Sequence, residues 1–113
     1  MVKEILGKLI EKTNSESAII VNSDGLVIES VNAVNDDRTA VMIASLHTMG
    51  ERFSTDLDRG SVEQFYIKTA LGYVLLKNIN ENVIIGLVAK DDAKLGLLML
   101  HLDETVNELK NSL

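Results

Sequence analysis

Cysteine, proline and tryptophan are absent from this 113-residue chain, and only two tyrosines and two phenylalanines are present. Without cysteine there is no disulfide framework, no thiol nucleophile and no cysteine-based zinc site. So few aromatic side chains also argue against a stacking platform for nucleic-acid bases or a sugar-binding cleft. The composition therefore removes several common kinds of site before any motif is considered.

Charge and hydropathy narrow the class further. The chain has 17 acidic and 11 Lys or Arg residues, a formal net charge of −6 that repels phosphate backbones. The longest stretch without a charged residue, Thr39 to Gly50, is well short of the roughly 18 apolar residues that span a bilayer. Met1 to Lys8 alternates charged and apolar residues, unlike a secretory signal. We expect a cytoplasmic chain with no nucleic-acid partner and no membrane insertion.

Catalytic devices are missing from the sequence. It contains no Walker A loop, no glycine-rich dinucleotide fingerprint and no G-x-S-x-G elbow. Neither His47 nor His101 has a second histidine four residues on or a Glu-x-x-His companion, and the Asp36-Asp37 and Asp91-Asp92 pairs stand where helices are expected to begin. We read these aspartates as helix caps. The sequence predicts no catalytic residue, no cofactor, no metal site and no enzyme activity.

The first part of the chain predicts a helix followed by a β-hairpin. Apolar residues at helical spacing run from Val2 to Ile10, and this helix is expected to end near Thr13 to Ser15. Two apolar segments, 16–22 and 26–32, are separated by Asn22-Ser23-Asp24-Gly25, which is typical turn chemistry. These segments are expected to be antiparallel strands.

A second helix is predicted over 36–57, with Asn35, Asp36 or Asp37 as its N-cap, and it has two distinct sides. Its expected core face is a stripe at helical spacing: Met42, Leu46, Met49, Phe53 and Leu57. A second group of mostly small residues lies about a third of a turn or more from that stripe: Val41, Ala44, Ser45 and Thr48. Small side chains allow another helix to approach closely.

The remainder predicts three strands and a helix. The strands are expected at 61–68, 72–78 and 82–89, the first as a polar edge and the last, apolar throughout Val83 to Val88 except for one glycine, at the centre. Asp91 or Asp92 is expected to cap a final helix containing Leu95, Leu98 and Leu102. The order α-β-β-α-β-β-β-α predicts one α+β domain over residues 1–113, an antiparallel sheet with the middle helix on one face and the terminal helices on the other.

These features favour association over catalysis. A helix with a small-residue side and a neighbouring edge strand suit a homodimer in which two sheets join. The alternative is that Val41, Ala44, Ser45 and Thr48 merely face solvent on a monomer.

Several strings resemble the Roadblock/LAMTOR family, which includes the dynein light chain Roadblock and MglB-like regulators. They are 18–28 (AIIVNSDGLVI), Ala44-Ser45-Leu46, 83–88 (VIIGLV) and 92–98 (DAKLGLL), and in this order they cover essentially the whole chain. The resemblance implies a five-stranded antiparallel sheet between helices, like that of profilin and longin domains.

The resemblance also implies a homodimer and a Ras-like small GTPase as partner, with no catalytic residue in this chain. Carried over by position, the dimer surface would comprise the small-residue group of the middle helix together with Val62, Gln64 and Tyr66 of the third strand. Arg52 lies close to that group and could contact the partner. The expected function is a non-enzymatic regulator or scaffold. The alternatives are a small-molecule-sensing α+β module and an architectural subunit of a larger complex.

Overall fold

The computed structural model describes residues 1–113 and contains three helices and five strands in the predicted order. The helices are α1 (Val2–Thr13), α2 (Asp36–Asp56) and α3 (Leu95–Leu109). The strands are β1 (Ser17–Asn22), β2 (Val27–Val31), β3 (Gln64–Thr69), β4 (Gly72–Asn80) and β5 (Val83–Lys90). No helix combines the length and apolar character needed to cross a membrane.

The five strands form one antiparallel sheet in the order β2-β1-β5-β4-β3. β5 is the central strand, as its apolar sequence predicts, because side chains on both of its faces are covered. β3 is an edge strand, as predicted from its polar residues, and β2 is the other edge.

One face of the sheet is covered by α1 and α3. Fourteen buried residues form its core, contributed by both helices and by β1, β4 and β5. Leu6 of α1, Leu102 of α3 and Leu75 of β4 are completely buried within it. This face is the larger of the two cores.

The opposite face is covered by α2 alone. Its core has six buried residues, among them Ala40 and Ile43 of α2. The helix lies close to the sheet at Gly86 of β5, where an added Cβ would be 3.2 Å from side-chain atoms of Ile43, Ile19 and Leu76. The predicted arrangement of one helix against two is therefore confirmed.

The β1–β2 turn forms as its sequence predicts. The Asn22 side-chain oxygen accepts hydrogen bonds from the backbone N–H groups of Asp24 and Leu26, each at 3.0 Å. Gly25 adopts φ +86°, a left-handed conformation that is easiest without a Cβ. The side chain and the glycine together fix the hairpin.

The aspartate cap predicted for α3 is wrong, whereas Asn35, one of the three residues predicted to cap α2, is its N-cap. Asp91 and Asp92 lie in the turn after β5, and the N-cap of α3 is Lys94, which makes no side-chain capping bond. Asn35 is the N-cap of α2, again without a capping bond, and Asp36 instead accepts a hydrogen bond from the Ser30 hydroxyl at 3.0 Å. Carboxylates suit a turn as well as a cap, so residue type alone does not locate the first helical turn.

Candidate functional site

The predicted core stripe of α2 is exposed. Met49 and Phe53 are 70% and 69% exposed, Met42 and Leu57 are about half exposed, and only Leu46 packs partly against the core. The prediction that this stripe is the core face is therefore wrong. The face that meets the sheet carries Ala40, Ile43 and Ala44, because small side chains let the helix backbone approach the strands closely.

The exposed stripe lies on the side of α2 nearest β3. Phe65 of β3 packs so closely against Gly50 that a Cβ at this glycine would overlap the ring. Phe65 and Leu46 also pack against the same six-residue core. At 100° per residue the five stripe residues fall within about 80° around the helix axis. Gly50, which contacts Phe65, lies at the edge of this arc, so the stripe is next to β3.

The neighbouring strand β3 has an unpaired edge. It pairs with β4 on one side only, from Gln64 opposite Lys77 to Thr69 opposite Gly72. In an antiparallel strand alternate residues direct their N–H and C=O groups away from the existing neighbour, so β3 keeps free backbone donors and acceptors. Tyr66 is 55% exposed and Ile67 is 37% exposed. We call the stripe (Met42, Leu46, Met49, Phe53, Leu57) and β3 (Gln64–Thr69) together the α2–β3 surface.

The small-residue group lies on the other side of α2, beside the β1–β2 turn. A Cβ added at Gly25 would be 3.3 Å from Val41 Cα and 3.7 Å from Ala44 Cβ. Ala44 is buried there, whereas Val41 is 56% exposed. Ser45 and Thr48 are exposed, and their hydroxyls donate to the carbonyls of Val41 and Ala44 at 2.9 and 3.1 Å.

A groove of about 410 Å³ runs between this side of α2 and the turn. It is lined by Ser23, Asp24, Gly25, Val41, Ala44, Ser45, Thr48 and Met49. We call it the hairpin groove. The Asp24 carboxylate is exposed at the turn and gives the groove its one charge.

The structure does not bring all of the predicted interface residues together. Val62 precedes β3 instead of belonging to it, and its N–H donates to Glu51 Oε1 at 2.9 Å. The side chains of Gln64 and Tyr66 are on the α3 face of the sheet, since they are paired with Lys77 and with buried Leu75. They are therefore separated by the sheet from the small-residue group of α2. Arg52 is exposed on α2.

A cavity of about 720 Å³ opens at the end of β4 and is lined mainly by polar side chains, including His47, Glu51, Lys77 and Lys110. β4 extends past the start of β3 at this point. Lys77, opposite Gln64, is the last β4 residue with a partner on β3, and the cavity lies beside the unpaired end of β4. Its lining contains only two hydrophobic residues, Val62 and Ile79. It is a surface feature that meets the larger apolar core at Ile79.

Sequence reasoning missed the exposure of the α2 stripe. The available signal was that α2 carries apolar residues on more sides than one sheet can cover. The buried side of α2 carries three residues, Ala40, Ile43 and Ala44, two of which are small. The exposed stripe carries five residues, all of them large. Ranking faces by side-chain size therefore selects the wrong one.

The chain is similar to known proteins both in sequence and in structure. A family model described as the Roadblock/LC7 domain matches residues 1–89. A curated relative, the uncharacterized protein MJ0310 of Methanocaldococcus jannaschii, is 25% identical, and the alignment covers 97% of each chain. Myxococcus xanthus MglB has a TM-score of 0.93 at 14% identity, covering 97% of this chain and 92% of that one. Acanthamoeba castellanii profilin IB has a TM-score of 0.74 at 13% identity, covering 99% and 98%. These structural likenesses confirm the predicted fold.

Proposed function

This chain belongs to the Roadblock/LC7 domain family, and from that premise we propose that it is a non-enzymatic homodimeric regulator or scaffold that binds a Ras-like small GTPase. In this proposal it modulates the nucleotide cycle or the placement of that partner. The observation that carries the proposal is the α2–β3 surface, where large apolar side chains and an unpaired strand edge are exposed side by side.

A homodimer would cover this surface. Contiguous exposed apolar side chains are costly in water and mark association sites. A second copy related by a two-fold axis would pair its β3 with this β3, and the two α2 helices would cover Met49 and Phe53. Pairing would also satisfy the free backbone groups of the edge strand.

The hairpin groove would then remain open for the other partner. Apart from Met49, which also belongs to the stripe, its lining lies on the side of α2 away from β3. The small residues Ala44, Ser45 and Thr48 would let a partner helix or loop approach the α2 backbone. Arg52 is exposed on the same helix and would lie within reach of such a partner. The net charge of −6 suits a partner surface with basic residues.

We take residues 1–113 as one Roadblock-like domain, because all eight helices and strands are built around one sheet. A Ras-like GTPase as partner would place the chain in the cytoplasm. In this proposal the chain would regulate its partner by binding to it and would contribute no catalytic residue.

The first experiment measures mass and partner binding together. Light scattering should return twice the chain mass, and the dimer should co-purify with a Ras-like GTPase more strongly in one nucleotide state than in the other. Thr48→Arg, at an exposed groove position that turns away from the stripe, should weaken GTPase binding while leaving the dimer intact. Asn107→Arg, exposed on α3, is the matched control and should change neither.

The outcomes separate the functions. Binding that does not depend on nucleotide would identify an architectural subunit instead of a regulator. Failure of every candidate GTPase to bind in either state would contradict the proposal. A metabolite that raises the melting temperature, when no GTPase binds, would favour the small-molecule-sensing alternative, because a ligand at 100 times its Kd adds about 2.7 kcal/mol.

A further inference from the structure

The strand β2 forms the second edge of the sheet, because it pairs only with β1. The Asn22 N–H donates to the Leu26 carbonyl at 2.9 Å, so Asn22 directs its backbone groups from β1 towards β2. Backbone directions alternate along a strand, and Ile20 therefore also bonds towards β2, where Glu29 lies opposite it. The next residue, Ser30, consequently directs its N–H and C=O outward from the sheet.

A carboxylate occupies this outward backbone donor. Glu29 Oε1 accepts a hydrogen bond from the Ser30 N–H at 3.1 Å, and Glu29 takes part in no ion pair. On β3, in contrast, no backbone N–H donates to a side-chain oxygen. The two edges of the sheet therefore differ in whether a side chain covers their outward donors.

Two backbone irregularities shorten the β2 edge. The register of β1 and β2 shifts between Ile20 and Val21, so Ile28 has no partner on β1, and such a bulge bends the strand. Asn32, immediately after β2, adopts φ +61° and ends the extended backbone. Bulges and short edge strands both hinder pairing with another sheet. Only residues 29–31 remain in regular pairing, and the carboxylate lies within this segment.

The surroundings of β2 would otherwise attract another strand. Exposed apolar side chains lie in and beside it, at Leu26, Ile28 and Val34. β2 contains no lysine, arginine or proline, which commonly protect an edge strand, and Glu29 is its one charged residue. The protection of this edge by charge therefore depends on a single side chain.

Pairing of two β2 strands would be costly because of this carboxylate. In a two-fold antiparallel pair centred on Glu29, the two carboxylates would lie opposite each other. In a pair centred on Ser30, each carboxylate would lie opposite Val31 of the second copy. Either pair would take the Ser30 N–H away from Glu29 and would cover a charge that has no counter-ion.

We infer that Glu29 closes the β2 edge of the sheet to a second copy of this chain. The inference goes beyond the proposed function, because it concerns the edge that the proposed homodimer would leave uncovered. Each such dimer would have a β2 strand at both ends of its joined sheet, and two open ends would let dimers add to one another without limit. A carboxylate at each end keeps the assembly finite.

Neutral substitutions at Glu29 test this inference by sedimentation at several protein concentrations. Glu29→Val and Glu29→Thr introduce strand-forming residues, and at high concentration the mass of each variant should rise at least about twofold above that of the unmodified chain. Glu29→Lys keeps a charge at the edge and should keep the unmodified mass. Glu108→Val is the matched control, because it removes the same charge from an exposed position of α3, and it should also keep the unmodified mass. Melting curves at low concentration check that each variant folds.

Amide hydrogen exchange locates the new contact. In Glu29→Val the Ser30 amide should exchange at least about tenfold more slowly in the concentrated, associated sample than in a dilute one, because its N–H would enter a strand pair. Association without this protection of Ser30 would overturn the inference.

The remaining outcomes separate the closed edge from the proposed homodimer. An unchanged mass for both neutral variants would overturn the inference, as would equal association of Glu29→Lys or Glu108→Val. A loss of folding in both neutral variants would also overturn it, because Glu29 would then support the fold and not the edge. A monomeric unmodified chain with an associating Glu29→Val variant would contradict the homodimer and support the closed β2 edge.

Discussion

The two faces of the sheet bury apolar residues to very different extents. The α1/α3 face has fourteen buried core residues and two helices to cover it, whereas the α2 face has six and one helix. Side chains such as Leu102 are fully buried on the first face, while Phe53 on the second is 69% exposed. The α1/α3 face thus holds most of the buried apolar core, and the α2 face leaves apolar surface exposed that the proposed dimer would cover.

The strands themselves do not cause this difference. β1 and β5 contribute buried residues to both cores, for example Ile20 to one and Ile19 to the other. What differs is the helix layer, because a single helix cannot bury residues on all sides against one sheet. Changes on the two faces should therefore have separable effects.

The largest effect on stability is expected from Leu102→Ala, which opens a cavity in the α1/α3 core. Leu102 is 0% exposed, and such truncations cost about 2–5 kcal/mol of unfolding free energy. Urea denaturation at fixed protein concentration measures it. Leu100→Ala is the control on the same helix, because Leu100 is 53% exposed and should cost less than about 0.5 kcal/mol. Equal losses in the two variants would contradict the assignment of this face as the stabilising core.

Phe53→Asp tests the α2 face. It should raise the Kd of the proposed dimer by about 100-fold, or about 2.8 kcal/mol, because each copy would place a carboxylate in an apolar interface. Sedimentation at several concentrations measures the change. Leu97→Asp introduces the same charge at a leucine of α3 that is 52% exposed, and it should leave the dimer unchanged. Dissociation by Leu97→Asp alone would move the interface to the other face.

Gly50→Ala should disturb the contact that joins α2 to β3. The added methyl would overlap the Phe65 ring, so the helix or the strand must shift, at a cost of about 1–3 kcal/mol. Thermal melting should show the loss, and Phe65→Leu in the same chain should restore part of it. Gly7→Ala in α1 is the control, because nothing lies within 4 Å of its added Cβ, and there alanine should stabilise the helix. An unchanged melting temperature for Gly50→Ala would show that the Phe65 ring can move away from α2 without loss of stability.

The smallest effect is expected from Lys77→Ala. It removes the ion pair between Lys77 of β4 and Asp103 of α3, whose side chains are 24% and 52% exposed. Partly exposed pairs contribute about 0–1 kcal/mol and weaken with salt. Denaturation at low and high salt should show a small difference that salt removes. Lys8→Ala, at an exposed position of α1 without an ion pair, should show no salt-dependent change.

Much of the fold could be predicted from local patterns. The β1–β2 turn followed from Asn22 and Gly25, and the central position of β5 followed from its apolar residues on both faces. Helix starts were less predictable: aspartates at 91 and 92 occupy a turn, because a carboxylate stabilises either structure. For the candidate site, the sequence identified α2 and β3 but assigned the core to the wrong side of α2.

By itself the sequence determined which elements form, because helical and strand periodicity, turn residues and continuous apolar segments act over a few neighbouring residues. Only the tertiary structure decided which side of α2 is buried. That choice depends on how closely the helix can approach the sheet, and Ala40 and Ala44 on the helix and Gly86 on β5 make the close approach possible. The larger stripe residues Met49 and Phe53 remain exposed beside β3 because the small residues already occupy the contact with the sheet.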